Sequence, residues 1–505
     1  MLYVRFLTGA CLLICLAGLR AADAQPAPDR QAVHILNRLA FGPTLEDFHR
    51  VKAIGVNRYV AEQLAPESIP EPFELSWRLA AFDTLKYNAV QLRRLYGPLP
   101  SIRGFKLPPE FIKAREERAR AIVREAAQAR ILRAVLSPRQ LQEVLVDFWF
   151  NHFNVFAGKE LDDLWIGDYE QRAIRPFVLG RFRDLLFAAT KHPAMLVYLD
   201  NTLSASPASP GGRNNKVGLN ENFAREVMEL HTLGADGGYS EEDVVTLARI
   251  LTGWRVNRQD SREFPEYAAV FEGARHDFSP KVFLGHQLRS RGKAEGEEAL
   301  DILAGSPATA RHISFKLAQY FVADEPPPPL VERLAGRFLA TGADIREVLK
   351  MLFSSSEFLE SYGHKYKPPY HFVVSAARAA GLPVNNTRPL LAAISQLGMP
   401  LFGCLTPDGY KNTEAAWLSP DATTRRISFA TAFARGALPV GSLPPDPARG
   451  MPDSLLPLRT SSVDAARLEQ IFGSTISAVT HEAVAEAPQA LRAALILGSP
   501  DFMRR

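Results

Sequence analysis

Three segments of the sequence place polar side chains on helices that should be buried. In the first, residues 142–156, apolar residues surround the predicted helix on almost every side. Asp147, Asn151 and Asn154 recur there at i, i+4 and i+7 and share one face, while His152 lies on a neighbouring face. An unpaired buried polar group costs about 1–3 kcal/mol, so these side chains need partners. They form either a structural hydrogen-bond network or a site in which His152 is an acid–base group or a metal ligand.

The second segment, residues 218–234, is predicted as a helix that begins after a loop and ends at a glycine. Asn222, Glu226 and Glu229 form one stripe along it, and His231 borders the apolar face on the other side. Two carboxylates on one stripe can supply the acid and the base of a hydrolysis, or they can bind a cation through oxygen atoms. Burial would raise the pKa of one of them.

An ordinary structural explanation competes with this one. Glu221, Arg225 and Glu229 lie at i, i+4 and i+8, which is the spacing of helix ion pairs. The zinc-protease pattern of two histidines four apart with an intervening glutamate is absent from the sequence. The spacing therefore identifies no metal and no other cofactor.

The third segment, residues 191–201, has a polar residue at each end of an apolar run. His192 precedes a proline, and Asp200 ends the run before a loop rich in serine and proline. Each side chain either caps a helix or binds a ligand. Further along, His276 and Lys281 are candidates that we expect to be exposed.

Composition and motifs exclude several classes of function. The chain has 505 residues, of which 47% are hydrophobic and 23% charged, and a net charge of +4. These values are typical of a globular protein and do not indicate nucleic-acid binding. The sequence lacks the phosphate-binding loop, the dinucleotide-binding glycine pattern, the serine-hydrolase elbow and the C-x-x-C pair.

The N terminus predicts export. Arg5 precedes an apolar run over residues 6–19, and Ala22-Asp23-Ala24 fits cleavage before Gln25. The run is shorter than the roughly 20 residues that cross a bilayer, and no later apolar run is long enough to do so. We therefore expect a periplasmic or secreted protein with no integral membrane segment after cleavage. Only Cys404 then remains, so no intramolecular disulfide can form.

Helical periodicity dominates the elements that must position these residues. Apolar residues repeat at three and four along residues 31–39, 45–64, 110–136, 141–156, 174–190, 221–233, 241–252 and 308–321. We predict an all-α fold, a multi-helix body of one or two lobes, with one small β-hairpin that pairs residues 267–271 with 281–284.

Loop-forming stretches divide the predicted body. We expect a signal peptide over 1–24, an N-terminal helical region over 25–203, a mobile surface loop over 204–217, a central helical region over 218–438, a Pro-rich linker over 439–457 and C-terminal helices over 458–505. Near the end, residues 497–502 echo residues 353–358, and each copy follows a helical stretch.

These segments together resemble a known bacterial family, numbered 1800 among the domains of unknown function. The resemblance runs from Leu36 to Phe502, and its most specific part is the helix with Glu226 and His231. It rests on Phe148-Trp149-Phe150-Asn151-His152-Phe153, on His192-Pro193-Ala194-Met195 with Asp200-Asn201, on Asn220-Glu221-Asn222 with Glu229-Leu230-His231-Thr232-Leu233-Gly234, on Thr252-Gly253-Trp254 and on His276-Asp277.

The resemblance implies an exported, mostly helical protein whose activity is not established. It also implies an exported partner from the family numbered 1501, which resembles the alkaline phosphatase and sulfatase superfamily. The chain departs from the family pattern at Phe278-Ser279-Pro280, and at residues 405–410 where many relatives carry Pro-Pro-Asn and Gly-Trp. A role for the region around Trp417 is thus less transferable.

The leading hypothesis is a hydrolase that acts on an envelope or extracellular polymer. Its predicted catalytic residues are Glu226, Glu229, His152, His231 and Asp147, and its predicted substrate-binding residues are Asn151, Asn222, Arg225, Asp200 and His192. The competing hypothesis is a non-catalytic helical scaffold or chaperone for an exported sulfatase-like partner. A third hypothesis is a metal-dependent oxidoreductase that uses His152, His192 and His231. The spacing of these histidines in the sequence matches no metal-ligand pattern and so does not support it.

Overall fold

A computed structural model describes residues 28–97, 108–210, 218–257, 269–442 and 461–505. The predicted signal peptide, residues 211–217 of the predicted loop, residues 267–268 of the predicted hairpin and residues 443–457 of the Pro-rich linker lie outside these ranges. Within them, no helix combines the length and the apolar character needed to cross a bilayer.

The described chain is a helical body, as the periodicity predicted. Its first helices are α1 (Pro28–Leu39), α2 (Leu45–Ile54), α3 (Val56–Gln63), α4 (Phe73–Ala80), α5 (Ala89–Tyr96), α6 (Pro109–Leu136), α7 (Gln140–His152), α8 (Asp162–Asp168), α9 (Phe182–Lys191) and α10 (Pro193–Tyr198). The next are α11 (Glu221–Glu229), α12 (Glu241–Ile250), α13 (Lys293–Gly305), α14 (Pro307–Phe321), α15 (Pro328–Ala340), α16 (Ile345–Phe353) and α17 (Ser356–Leu359). The last are α18 (Pro369–Ala380), α19 (Arg388–Gln396), α20 (Pro420–Ala434), α21 (Ala465–Phe472), α22 (Ala478–Glu486), α23 (Gln489–Leu497) and α24 (Pro500–Met503).

Side-chain caps fix where many of these helices begin. In each case a polar side chain accepts a hydrogen bond from a backbone N–H of the first turn. Residues of this kind include Thr44, Asn88, Ser240, Ser306 and Asp344.

Two predicted helices are interrupted. The helix predicted over 45–64 is two helices, because Gly55 adopts a φ of +84° that a continuous helix does not allow. The helix predicted over 174–190 begins instead as a π-helical turn, Tyr169–Ile174, followed by a 3-10 turn that contains Pro176. Regular α-helix resumes only at Phe182.

Two further helices are shorter than predicted. The helix α7 ends at His152 rather than at Phe156, and α11 ends at Glu229 rather than at Leu233. After α11 the hydroxyl of Thr232 donates to the carbonyl of Val227 at 2.7 Å, which replaces the next helical hydrogen bond.

The predicted strands exist, but their predicted pairing is wrong. Strand β1 (Trp254–Val256) pairs antiparallel with β2 (Ala269–Phe271), and β3 (Lys281–Phe283) pairs antiparallel with β4 (His286–Leu288). Only β3 has a partner nearer in sequence than the other predicted strand, because β1 lies further from β2 along the chain than β3 does. The first of these sheets places Gly253, with a φ of +86°, against the carbonyl of Glu272.

One contiguous hydrophobic cluster holds the described helices together, and it includes residues from Ala32 to Met503. The helix α7 contributes many residues to this cluster, and its Trp149 is fully buried. The predicted repeat is confirmed in local structure. Ser355 caps α17 through the N–H of Phe358, and Ser499 caps α24 through the N–H of Phe502.

Part of the predicted surface loop is not on the surface. Ser204, Ala205 and Ser206 are buried. The N–H of Ala205 donates to the carbonyl of Gly218 at 3.0 Å, and the N–H of Ser206 donates to the carbonyl of Arg275 at 2.8 Å. Satisfied backbone groups explain how this polar stretch can lie inside the fold.

Candidate functional site

The three polar segments meet in space. The ring Nε2 of His152, at the end of α7, donates to the carbonyl of His231 at 3.1 Å. The Nδ2 of Asn220, the cap of α11, donates to the carbonyl of Leu199 at 2.9 Å. The turn after α11 thus contacts the first segment, and the start of α11 contacts the third.

The two predicted catalytic histidines lie inside the protein rather than beside the glutamates. His152 and His231 are buried, and their ring centroids are 6.1 Å apart. Burial lowers the pKa of His231 to about 3 and that of His152 well below its usual value. Within the described ranges, no hydrogen bond joins either ring to Glu226 or Glu229. Both rings are therefore neutral packing residues at neutral pH.

The carboxylates, in contrast, lie at a partly exposed surface. Glu226 and Glu229 of α11 and Asp408 of a later loop are each partly buried. Burial raises the pKa of Glu226, and the negative charges of Glu229 and Asp408 raise it further. Asp408 behaves in the opposite way. Burial opposes its ionisation, but hydrogen bonds from Lys411 and Thr406 and the charge of Lys411 lower its pKa.

The loop that carries Asp408, residues 404–410, is fixed by the first segment. Asn151 donates from Nδ2 to the carbonyl of Tyr410 at 2.9 Å and accepts at Oδ1 from its N–H at 2.8 Å. Asn154 donates to the carbonyls of Cys404 and Thr406 at 3.1 and 2.9 Å. A Cβ on Gly409 would lie 2.2 Å from the carbonyl oxygen of Asn151, so the loop approaches α7 as closely as only glycine permits.

The third segment also holds this loop. The hydroxyl of Tyr198 donates to the carbonyl of Leu405 at 3.0 Å. Burial raises the pKa of Tyr198, and the charge of Glu226 contributes to that rise, so the tyrosine lies within the electrostatic reach of the glutamate.

Basic side chains approach the same region from α14. His312 and Lys316 lie at i and i+4 on that helix, and both are partly buried. The Nε2 of His312 lies 3.3 Å from the carbonyl of Leu230, one residue after the end of α11. Burial lowers the pKa of Lys316, the nearby Lys411 lowers it further, and Asp408 opposes both effects. The site therefore combines carboxylates from α11 and the 404–410 loop with a lysine whose charge is poorly solvated.

Asp147, a predicted catalytic residue, belongs instead to a buried charge network away from this surface. Its Oδ1 accepts from Arg130 at 2.8 Å, and its Oδ2 lies 3.6 Å from His371. The hydroxyl of Tyr320 lies 2.8 Å from Nε2 of His371. These partners come from α6, α14 and α18, so Asp147 ties four helices together.

The predicted binding residues on α11 do not converge on the carboxylates. Arg225 makes a bidentate ion pair with Glu241 of α12 at 2.8 and 2.7 Å. The side chain of Asn222 is exposed, and its backbone N–H donates to the Asn220 cap at 2.9 Å. The ion pair anticipated within α11, between Arg225 and Glu221 or Glu229, is therefore replaced among the described residues by a pair between two helices.

The two polar ends of the third segment have structural partners. His192 caps α10 through the N–H of Ala194, and its Nε2 lies 3.1 Å from Asp168. Asp200 adopts a φ of +59° and forms an ion pair with Lys159 at 3.0 Å. Both side chains therefore stabilise turns near the site without contacting Glu226.

The expectation that His276 and Lys281 are exposed is wrong. Both are buried, and both bind the fully buried Glu295, at 3.1 Å from His276 and 3.0 Å from Lys281. The opposite charge of Lys281, together with the contact from His276, explains how this carboxylate can be desolvated.

The sequence reasoning missed Asp408, His312 and Lys316. The signal for the last two was present, because a histidine and a lysine four residues apart share a face of a predicted helix. Across the described ranges, no group of three or more His, Cys, Asp or Glu side chains has the arrangement of a metal site.

Fold and site together define an all-helical protein with a carboxylate-rich surface site fixed by three distant segments. The sequence matches the family described as "protein of unknown function (DUF1800)" over residues 34–504, and the chain belongs to this family. No curated protein and no solved structure matches the sequence.

Proposed function

We propose that this protein is an exported hydrolase that acts on an envelope or extracellular polymer. The observation that carries the proposal is a set of carboxylates whose environments move their pKa values apart at one partly buried surface. Burial and like charges raise the pKa of Glu226. The pKa of Asp408 is lowered, because Lys411 donates a hydrogen bond to it and carries the opposite charge. Such a divergence is the usual way in which one site obtains both an acid and a base at neutral pH.

Each charged side chain then has a role. Glu226 is the general acid that protonates the leaving group, and Asp408 is the general base that activates water. Burial raises the pKa of Glu226, and the negative charge of Glu229 raises it further. Lys316, which burial keeps poorly solvated, stabilises negative charge that develops in the transition state.

Export is part of the proposal. The apolar run over residues 6–19 and the Ala22-Asp23-Ala24 site support cleavage before Gln25 and delivery to the periplasm or the medium. A polymer of the envelope or of the surroundings is the substrate class that such a location offers.

Substitution of the carboxylates tests the activity. Residues 25–505 are incubated with peptidoglycan and with extracellular polysaccharides, and new reducing ends are measured. Glu226→Gln and Asp408→Asn are each expected to lower the rate at least about 100-fold, because each removes one proton-transfer group. Glu221→Gln, an exposed carboxylate on the same helix, is the matched control and should leave the rate unchanged. Full activity in both site variants would refute the assignment.

A second prediction needs no substrate. Glu229→Gln is expected to lower the pKa of Glu226, because it removes a nearby like charge. Titration of the ¹³C-labelled carboxyl groups by NMR measures this value. The same titration of Glu221→Gln should give the wild-type pKa for Glu226, and an equal pKa in all three proteins would argue against a coupled carboxylate pair.

A non-catalytic scaffold for an exported sulfatase-like partner of the family numbered 1501 is the second candidate. Its support is that His152, His231, His192 and Asp147 all make internal structural contacts. This function predicts that no polymer is cleaved. It also predicts that the partner co-purifies with the chain from the exported fraction.

A further inference from the structure

A group of buried cations lies where the C-terminal segment packs against α1, far from the carboxylate site in the chain. Arg38 is 0% exposed, and Lys367 and Arg505 are each 2% exposed. Desolvating a charge is unfavourable by many kcal/mol unless a counter-charge or several hydrogen bonds compensate.

Within the described ranges, these three cations have hydrogen bonds but no acidic side chain in direct contact. Asp324 acts on Arg38, and Asp147 on Arg505, only through longer-range electrostatic interactions. Lys367 donates to the hydroxyl of Ser375 at 3.0 Å, and Arg505 donates to the carbonyl of Tyr320 at 3.0 Å. Arg38 donates to the carbonyl of Ser361. Among the described residues, no ion pair within 4.0 Å joins any of the three to an aspartate or a glutamate. Burial and the neighbouring Arg505 and Arg426 lower the pKa of Lys367 well below its usual value.

Lys367 and Arg505 border a cavity of about 230 Å³. Asn37 of α1 borders it as well, and among the described residues the Nε of Arg505 has no hydrogen-bond partner. Both residues are more than nine-tenths buried. The rest of the wall is largely apolar and includes Val33, Phe472, Ile476, Ile496 and Phe502.

The other charged residues on the cavity wall have polar partners of their own. Arg504 makes a bidentate ion pair with Glu414 at 3.1 and 2.6 Å. The Oδ2 of Asp501 accepts hydrogen bonds from the N–H of Ser477 at 3.1 Å, from its hydroxyl at 2.8 Å and from the hydroxyl of Thr480 at 2.5 Å. Among the described residues Asp501 has no cationic partner, but the two unpaired cations Lys367 and Arg505 outnumber it, so the net charge of the cavity wall is positive.

We propose that this cavity binds a small organic anion, with an oxyanion head group on Lys367 and Arg505 and a ring-sized apolar body between the helices. Carboxylates and phosphate monoesters share this chemistry. The head group supplies the missing counter-charge and an acceptor for the Arg505 Nε. The apolar lining of the cavity packs against the apolar body of the ligand. The inference is independent of the proposed hydrolase, because the cavity shares no residue with Glu226, Asp408 or Lys316.

Calorimetric titration of residues 25–505 tests the proposal with three probes: benzoate, phenyl phosphate and the neutral benzyl alcohol. Benzoate or phenyl phosphate should bind at least about 10-fold more tightly than benzyl alcohol, because only the anions satisfy the buried cations. The relative affinities of the two anions identify the preferred head group. Failure of both anions to bind more tightly than benzyl alcohol would overturn the proposal.

Substitution locates the binding. Lys367→Met should weaken anion binding at least about 10-fold, whereas Lys350→Met, at an exposed position of α16, should leave the Kd unchanged. The melting temperature of Lys367→Met without ligand should equal or exceed that of the wild type, since an unpaired buried charge has been removed. Arg505→Met is the second variant, and it should also weaken binding, because it removes the other group that holds the head group. Wild-type affinity in both cavity variants would contradict the assignment.

Discussion

Acidification from pH 7 to pH 5 is expected to destabilise this protein by several kcal/mol. The cause is a set of described histidines that are buried as neutral rings: His34, His152, His231, His312 and His371. Burial lowers the pKa to about 3 for His34 and His231, to about 4 for His312 and His371, and well below the usual value for His152.

The direction of the effect follows from proton binding. In the unfolded chain a histidine titrates near pH 6.5, so below that pH the unfolded state binds protons that the folded state does not. The stabilisation by neutral burial is therefore complete above about pH 6.5 and is lost as the pH falls toward the folded values. Each histidine contributes about 1.4 kcal/mol per pH unit, so five together give about 6 kcal/mol per pH unit near pH 5.

Urea unfolding followed by circular dichroism at several pH values between 7.5 and 5 measures this slope. His231→Asn should reduce the slope by about one proton, because it removes one group that protonates only on unfolding. His481→Asn changes an exposed histidine and should leave the slope as it is in the wild type. A slope of one proton or less in the wild type would mean that these rings are not buried as neutral groups.

Local sequence patterns correctly predict the helices and the burial of α7, because both features depend on residues that are close together in the chain. An apolar residue on every face of residues 142–152 predicts a buried helix, and Trp149 is indeed fully buried. The breaks at Gly55 and Pro176 also arise from local sequence. They are missed because apolar residues continue to repeat at three and four positions on both sides of each break. Strand pairing is different, because three-residue strands such as β1 carry too little pattern to choose a partner.

The candidate site could be predicted only in part, because its second half comes from distant residues. The stripe on α11 identified Glu226 and Glu229. Asp408 lies in a loop that is held near them by a hydrogen bond between Asn151 and Tyr410, which are 259 positions apart in the sequence. No local period encodes that contact. The same limit applies to the buried polar residues of α7, because a polar stripe does not reveal whether its partners are other side chains or a substrate.

Asp147 is the clearest case, and its replacement should reveal a structural role. Asp147→Ala is expected to lower the free energy of unfolding by about 3–5 kcal/mol, because it leaves the buried Arg130 without its closest counter-charge. Burial opposes the ionisation of Asp147, but the hydrogen bond with His371 and the charge of Arg130 outweigh it and lower the pKa. The stabilisation is thus present above the unfolded pKa near 3.8 and is lost as the pH falls through the lower folded value.

A double-mutant cycle separates this network from a catalytic role. Because Arg505 donates to Nδ1 of His371 at 3.2 Å, the neutral ring carries its proton on Nε2, which faces Asp147 and the hydroxyl of Tyr320. Asp147 therefore has polar contacts on both oxygens, and Arg130→Met combined with Asp147→Ala should destabilise less than the sum of the single changes. Equilibrium urea unfolding at pH 7 measures all four proteins, with exposed Glu221→Ala as the control. If Asp147→Ala unfolds like the wild type but loses polymer cleavage, Asp147 belongs to the reaction and not to the core.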